Sequence, residues 1–329
     1  EKLFERDGLR LSDETLRLWL MESGDWQKGR RKRKHRAWRE RKHRRGEMVQ
    51  MDGSHHDWLE GRAAELVLMG YIDDATGNVH GRFYDYEGTI PAMDSFKRYA
   101  KRYGLPQSVY LDRHTTYKSP AKPTIEDELA GRKPMSQFER AMAELGVEVI
   151  HANSPQAKGR VERGFGTLQD RLVKEMRLEG IKTKKEANRF LKGYLPKHNK
   201  RFGKKPAMEG DLHRPIPEGF DLNGALCIKT KRALRNDFTA AYGGKLYQVF
   251  DCVSAKKVVV EERLNGRMLI KHNGAALRFK EITVRPERPE KPFTYKPRKK
   301  HIPPKDHPWR KFPLTPKGDI SILAKRGHF

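Results

Sequence analysis

Cysteine is scarce in this sequence and long apolar runs are missing, and each shortage argues against a class of protein. The two cysteines, Cys227 and Cys252, stand too far apart for a Cys-x-x-Cys pair, which argues against a zinc site built on cysteines. No apolar run approaches the roughly 18 residues that a membrane-spanning helix needs. The first residues are not typical of a secretory signal. We therefore expect no membrane association and a reducing, cytoplasmic location.

Acidic residues are few relative to basic ones. The 43 Asp and Glu stand against 70 Lys and Arg, which gives a formal net charge of +27 at pH 7. A field of this sign concentrates phosphate polyanions and releases their counterions on contact, so nucleic acid is the expected partner. Composition alone leaves catalysis open, because ribosomal and other basic proteins carry a similar charge without being enzymes.

The length of 329 residues leaves room for two or three domains. The chain opens at Glu1 rather than at methionine, so we expect it to be a piece of a longer protein. Six regions are predicted in order: a helical segment, a basic linker, an α/β core, a second linker, a small β-barrel and a basic, proline-rich tail. Their bounds are 1–27, 28–46, 47–200, 201–220, 221–285 and 286–329.

The N-terminal helix is predicted over Asp13 to Met21, with Ser12 as its N-cap. It is either the last helix of a helix-turn-helix or simple core packing. Lys28 to Arg45 then holds twelve Lys or Arg among eighteen residues. This segment is either a solvated linker or a DNA-tracking one, and the second interpretation is favoured because each neutralised phosphate adds affinity. The candidate DNA contacts within it are Arg31, Arg33, Lys34 and Arg36.

The region from 47 to 200 alternates between strand and helix patterns. Three strand patterns, the second and third joined through a hairpin turn at 73–78, predict an antiparallel meander. Two further short strands and the helices between them complete a mixed five-stranded sheet flanked by helices. After the meander, the predicted elements are helix 89–103, strand 109–111, helix 137–145, strand 147–150, a helix from 155 and helix 184–199. Residues 113–134 are predicted to be a loop or insertion.

The helix that follows the last of these strands begins abruptly. Ser154 can cap it, and Pro155 suits its first position because the missing N–H costs nothing there. An apolar stripe recurs at three- and four-residue steps along it, formed by Val161, Phe165, Leu168 and Leu172. The neighbouring face carries Lys158, Glu162 and Gln169. The carboxylate is either half of a surface ion pair or an acid that holds a metal against a polyanion.

Three acids occupy comparable places in this core. Asp52 lies in the first strand, Asp112 ends the strand after the first helix, and Glu162 lies on the helix after the last strand. Parallel strand ends meet at one edge, and a following helix packs back across the sheet, so these acids could converge. Hard carboxylates suit Mg²⁺. Other acids have simpler interpretations as turn, loop or helix-surface residues: Asp57, Asp73, Asp74 and Asp170.

The segments around the three acids carry a family resemblance. The strings MVQMDGSHHDWLEG, YLDRHTTY and SPQAKGRVERGFGTLQDRL resemble the three acid motifs of bacterial insertion-sequence transposases. The element order resembles the RNase H-like core of DDE transposases and retroviral-type integrases. The resemblance covers roughly residues 47 to 200. It implies Asp52, Asp112 and Glu162 as catalytic metal ligands for two Mg²⁺ ions, with Mn²⁺ as a substitute, and agrees with a flanking helix-turn-helix and a C-terminal β-barrel.

Function follows from this resemblance as an expectation. A transposase of this kind cleaves transposon ends to 3′-OH groups and joins them to target DNA by transesterification. The resemblance implies double-stranded DNA as partner, a homodimer or higher homo-oligomer on DNA, and a nucleoid-associated bacterial location. An RNase H-like nuclease or junction resolvase, and a non-catalytic DNA-binding protein, remain the alternatives. The sequence departs from many integrases in its longer gap between Asp112 and Glu162, and it lacks an HHCC zinc module.

Basic and histidine side chains near the acids are weaker candidates. Lys158, Arg160 and Arg163 flank Glu162, where contact with the DNA backbone is favoured over a solvated face. Three histidines close to the first two acids could touch the scissile phosphate or a metal, although loop histidines are more often simply solvated. These are His55, His56 and His114.

Overall fold

A computed structural model describes residues 6–26, 40–112, 114–121, 123, 128–129, 131, 134–152, 159–283 and 303–308. Its first helix, α1 (Asp13–Glu22), begins where it was predicted, because Ser12 Oγ accepts from the backbone N–H of Thr15 at 3.0 Å. No residue of α1 is buried, which does not fit packing into a core. The helix-turn-helix stays a prediction.

The core region holds a mixed five-stranded sheet in the order β3-β2-β1-β4-β5. The first three strands form the predicted antiparallel meander, and β4 and β5 join it in parallel. The elements, in chain order, are β1 (Met48–His56), β2 (Leu66–Asp73), β3 (Val79–Tyr84), α2 (Thr89–Tyr103), β4 (Ser108–Leu111), α3 (Gln137–Glu144), β5 (Glu148–His151), α4 (Gly159–Leu178) and α5 (Lys184–Phe202). The predicted α/β class and the mixed five-stranded sheet are therefore confirmed.

Each face of this sheet is covered by a different pair of helices. Side chains alternate between the faces of a strand, so odd-numbered residues of β1, β2 and β4 point to one face and even-numbered residues to the other. The odd-numbered side chains, such as Met51, Met69 and Leu111, pack against α2 and α3. On the opposite face, Leu68 and Ile72 of β2 pack against α4 and α5. All eight residues of β2 are buried as a result.

The predicted apolar stripe of α4 seats this helix on the sheet. Its four members are all buried: Val161, Phe165, Leu168 and Leu172. Glycine allows the close approach, because a Cβ on Gly70 would lie 2.5 Å from Cε1 of Phe165. The described helix begins at Gly159, and the predicted capping residues Ser154 and Pro155 lie outside the described residues.

The C-terminal part contains two small antiparallel sheets around one shared core. Short alternating runs at 226–230, 245–249, 256–262 and 267–272 predict four of its strands. The strands β7, β11 and β12 were missed because three or four residues show too little alternation. The elements are α6 (Leu222–Ala225), β6 (Cys227–Ala233), β7 (Thr239–Tyr242), β8 (Lys245–Val249), β9 (Lys257–Arg263), β10 (Met268–His272), β11 (Ala275–Leu277) and β12 (Phe279–Ile282). The closed β-barrel stays a prediction.

The two segments predicted as linkers pair with each other, and the second also pairs with the core region. Arg45 of the first forms an isolated bridge with Asp211 of the second, and Arg214 of the second forms one with Leu105. The tail beyond 286 lies outside the described residues except for 303–308. Among the helices of the described residues, none is long and apolar enough to cross a membrane.

Substituting Gly70 by Ala tests the close contact between sheet and helix. The added methyl group meets the ring of buried Phe165, so the free energy of unfolding should fall by about 1–3 kcal/mol. Gly166 is the control, because a Cβ there meets nothing within 4 Å and alanine is the better helix former. Urea denaturation of G70A and G166A should therefore give changes of opposite sign. Equal changes would contradict the proposed seating of α4.

Candidate active site

Asp52 lies near the middle of β1, on the sheet face that α4 covers. It stands directly opposite Gly70 of β2 in the antiparallel register. Its carboxylate accepts a hydrogen bond from the backbone N–H of Gly53 at 3.1 Å and is partly exposed. The two even-numbered neighbours on the same face, Gln50 and Ser54, are buried. Asp52 is thus a partly exposed acid between two buried side chains.

Asp112 lies immediately after β4, the parallel neighbour of β1. The register places Tyr110 beside Gln50. Two residues further along each strand are Asp112 and Asp52, and because the side-chain period is two, both acids belong to the same face. The Asp112 carboxylate accepts from the backbone N–H of His114 at 3.0 Å. The sheet therefore presents two acids at equivalent positions of adjacent parallel strands.

Glu162 is exposed in the first turn of α4. Gln169, seven residues later, lies on the same flank of the helix and donates from Nε2 to Ser54 Oγ of β1 at 3.0 Å. Seven helical residues rise about 10 Å, which corresponds to roughly three residues of strand. Because α4 runs opposite to β2, with Gly164 over Ile72 and Phe165 over Gly70, it runs in the same direction as β1. Glu162 therefore belongs to the flank above the Gln50–Asp52 stretch.

The end of β4 is supported by a histidine and a glutamate that sequence reasoning missed. Nδ1 of His151 lies 3.2 Å from the carbonyl oxygen of Asp112, and its Nε2 lies 2.9 Å from Oε1 of Glu139. Glu139 also completes a capping box with Ser136. Burial raises the pKa of Glu139, but hydrogen bonds from Ser136 and His151 outweigh it and leave that pKa below its usual value. The pattern Ser136-x-x-Glu139 is a visible signal for the cap alone.

A second support lies beside Asp52. Glu87 accepts from the hydroxyl of Tyr117 at 3.1 Å and lies 2.9 Å from Nε2 of His55. A Cβ on Gly53 would lie 2.5 Å from Glu87 Oε2, so this acid packs against the backbone next to Asp52. Burial, with the negative charge of Glu87, holds the pKa of Tyr117 well above its usual value. Tyr117 is therefore a neutral hydrogen-bond donor here.

The third support, under the start of α4, is Asp74. Its side chain is fully buried, and Oδ1 lies 2.7 Å from Nη1 of Arg160. The same oxygen accepts from Nε2 of Gln50 at 2.7 Å, while Oδ2 accepts from the backbone N–H of Lys42 at 2.9 Å. The interpretation of Asp74 as a turn acid is therefore wrong, because its carboxylate joins three distant segments.

The other competing acids have the roles expected of them. Asp73 accepts from the backbone N–H and the hydroxyl of Thr76, as a turn aspartate does. Asp57 accepts from the N–H of Gly61 in the loop after β1, and Asp170 pairs with Lys174 on the surface of α4.

The predicted DNA contacts near Glu162 differ in their surroundings. Arg163 is exposed, as a backbone contact requires. Arg160 does not fit that prediction, because its side chain is only 10% exposed and is paired with Asp74. Lys158 lies outside the described residues, as do the four predicted contacts of the basic linker, Arg31, Arg33, Lys34 and Arg36.

The three histidine candidates are all exposed. His55 is held by Glu87. His56 lies edge-on to Trp58. His114 has Nδ1 at 3.1 Å from the hydroxyl of Thr116.

The three acids suit Mg²⁺ in chemistry, since it prefers carboxylate oxygens. Within the described parts of the chain, however, no three Asp, Glu, His or Cys side chains lie close enough together to hold a metal ion. Asp52 and Asp112 share one face, and Glu162 lies on the helix that covers this face. Their joint binding of a metal ion stays a prediction.

Two curated relatives are similar to this chain over most of its length, and no family model matches it. A protein of Sinorhizobium fredii (strain NBRC 101917 / NGR234) named putative transposase y4bF is 40% identical over 244 residues, which are 74% of this chain and 52% of that protein. The transposase for insertion sequence IS1202 of Streptococcus pneumoniae is 31% identical over 287 residues, 83% of this chain and 59% of that protein. The chain thus spans little more than half the length of these relatives. Their names confirm the predicted resemblance to insertion-sequence transposases.

Solved structures with some likeness to this chain include retroviral integrases. The catalytic core of BIV integrase covers 44% of this chain, with 17% identity and a TM-score of 0.33, over 80% of that core. A simian T-cell lymphotropic virus intasome in complex with the PP2A regulatory subunit B56 gamma covers 84% of this chain and 94% of its own, with 16% identity and a TM-score of 0.40. At these values the likenesses carry no argument about chemistry.

Replacing Glu139 by Ala tests the support under Asp112. The variant loses the capping box and leaves Nε2 of His151 without its acceptor, so the free energy of unfolding should fall by about 1–3 kcal/mol. Glu148, an exposed acid on neighbouring β5, is the control, and E148A should change it by less than about 0.5 kcal/mol. Urea denaturation measures both. A loss in E139A no larger than in E148A would contradict the support.

Proposed function

Because the curated relatives of this chain are transposases, we propose that it is a DNA transposase of an insertion-sequence element. Asp52, Asp112 and Glu162 form its catalytic site. The enzyme cleaves the element's ends to 3′-OH groups and joins them to target DNA by transesterification. The observation that supports this proposal best is the parallel register of Gln50 beside Tyr110, since Asp52 and Asp112 follow two residues later on the face that α4 covers.

Glu162 completes the site from above. The contact of Gln169 with Ser54 supports this role, because Glu162 is on the same flank of α4, and an approach of the helix's first turn to β1 would bring it toward Asp52. DNA binding supplies such a closing force naturally, because a phosphate held by Arg163 would draw the first turn toward the substrate. In this proposal the three carboxylates hold two divalent ions, Mg²⁺ or Mn²⁺. When bound, these ions activate the attacking oxygen and stabilise the leaving oxygen of an in-line displacement.

The neighbouring polar residues hold the carboxylates in place for this chemistry. His151 fixes the peptide of Asp112, and Glu87 packs against the backbone beside Asp52. Neither side chain takes part in proton transfer in this proposal. Their role is to limit the movement of the strand ends, because carboxylates must keep their positions to within about 0.5 Å at a functional site.

We assign DNA binding to the parts that flank the core. The net charge of +27 on the chain attracts double-stranded DNA independently of its sequence. We assign recognition of the element's ends to a helix-turn-helix that includes α1, and backbone contacts to the basic linker and to a C-terminal β-barrel module. Two ends must be held together during joining, so the working form is a homodimer or larger homo-oligomer on DNA.

Replacing Glu162 by Gln tests the site with little change in shape. On duplexes carrying the ends of the encoding element, with Mg²⁺, E162Q should lower cleavage and strand transfer at least about a hundredfold, since even residues that merely orient metal ligands cost 10–100-fold. D52N and D112N should behave alike. D170N, on the surface of the same helix, is the control and should keep wild-type activity.

The products separate the rival functions. Cleavage without joined products would assign the protein to the RNase H-like nucleases or junction resolvases. DNA binding without any Mg²⁺-dependent cleavage by the wild-type protein would favour the non-catalytic alternative. Unchanged cleavage by E162Q would remove Glu162 from the site.

A further inference from the structure

Asp74 is a buried acid whose carboxylate the proposed reaction does not use. Its Oδ1 accepts from two side chains, Arg160 of α4 and Gln50 of β1, each at 2.7 Å. Removing a carboxylate and a guanidinium from water is costly, and neither partner can be deleted without leaving the other charge uncompensated. A polar junction of this kind is expected where the position of the joined elements matters more than their stability.

The two side chains that meet at this oxygen hold equivalent sequence positions. Gln50 precedes Asp52 by two residues, and Arg160 precedes Glu162 by two residues. One buried oxygen therefore connects the strand that carries the first acid to the helix turn that carries the third. Both connections are direct side-chain hydrogen bonds to Asp74.

Helix geometry shows what the Arg160 contact controls. Successive residues are about 100° apart around a helix, so Arg160 and Glu162 lie on opposite flanks of buried Val161. The Arg160 flank faces β2, where Gly164 packs on Ile72. The Glu162 flank faces β1, where Gln169 reaches Ser54. The ion pair between Arg160 and Asp74 therefore sets the rotation of α4 about its own axis. This rotation in turn sets the direction of Glu162.

We propose that Arg160 is a positioning residue that sets the orientation of Glu162 through buried Asp74, and is not a DNA contact. This inference rests on the proposed function of Glu162. The apolar stripe alone fixes which side of α4 faces the sheet, but apolar contacts tolerate small rotations and shifts. The charged hydrogen bond to a fixed buried oxygen does not tolerate them, because it weakens steeply as the donor–hydrogen–acceptor angle departs from linear.

The test compares R160M, R160K and R163M in the full-length protein. R160M keeps a long side chain of similar volume and removes the ion pair, R160K keeps the charge, and R163M removes an exposed arginine three residues along the same helix. Three quantities are measured: amide hydrogen exchange over residues 159–166, and kcat and KM for an element-end duplex with Mg²⁺.

For R160M we expect amide exchange in the first turns of α4 to rise about tenfold, since this end then loses its charged hydrogen bond to the buried acid. The value of kcat should fall about 10–100-fold, because a displacement of about 1 Å in a catalytic group is enough for that. KM for DNA should stay within about twofold of the wild type. R160K should recover part of both losses, and R163M should instead raise KM without changing exchange.

Two results would overturn the proposal. One is unchanged exchange in R160M, and the other is an increase in KM at constant kcat, which would make Arg160 a DNA contact like Arg163. Should R160M fail to fold, R160K and D74N carry the same comparison. If the wild-type protein shows no cleavage, or E162Q keeps it, the proposed function fails, while the exchange measurement still decides whether Arg160 fixes the helix.

Discussion

The buried carboxylate of Asp74 is the interaction on which the arrangement of the candidate site depends. It lies at the turn between β2 and β3, yet it binds the backbone before β1, a side chain of β1 and a side chain of α4. Hydrophobic burial holds α4 on the sheet, but the hydrophobic effect is non-directional and does not fix the rotation of the helix. In the proposed arrangement the charged hydrogen bonds to Asp74 fix this rotation, so they connect the folding of the core to the orientation of Glu162.

Alternation along the strands explains why the acids share one face. Val49 and Met51 of β1 and Val109 and Leu111 of β4 fill the core under α2 and α3, so the even-numbered positions are left for the other face. Asp52 and Asp112 occupy two of these positions at the point where α4 leaves the sheet partly open. Helix α3 contacts both the core sheet and the C-terminal part. Glu139 supports the end of β4 through His151, while Gln137 hydrogen-bonds to the backbone of Lys229 in β6. The C-terminal sheets are thereby joined to the element that steadies Asp112.

Local features of the fold were predictable, and features that join distant residues were not. The bounds of α2, the meander and the stripe of α4 follow from periodicity within a few residues. In the sequence, Asp74 has only the pattern of a turn residue. Its pairing with Arg160 could not be predicted, because the two residues are 86 positions apart and become neighbours only once the sheet is assembled. The pairing of His151 with Glu139 was missed for the same reason. The three acids were found through the motifs around them, since 43 acids offer too many combinations for spacing to select.

In the proposed active site, Asp52, Asp112 and Glu162 together bind divalent metal when DNA is present. The most direct test is anomalous X-ray diffraction from crystals of the protein with an element-end duplex and Mn²⁺. We expect manganese peaks between the three carboxylates, with metal–oxygen distances of about 2 Å, as for ions of this size. We also expect Arg160 to remain on Asp74 in that complex. Metal bound elsewhere, or Glu162 turned away from an occupied site at Asp52 and Asp112, would contradict the proposed site.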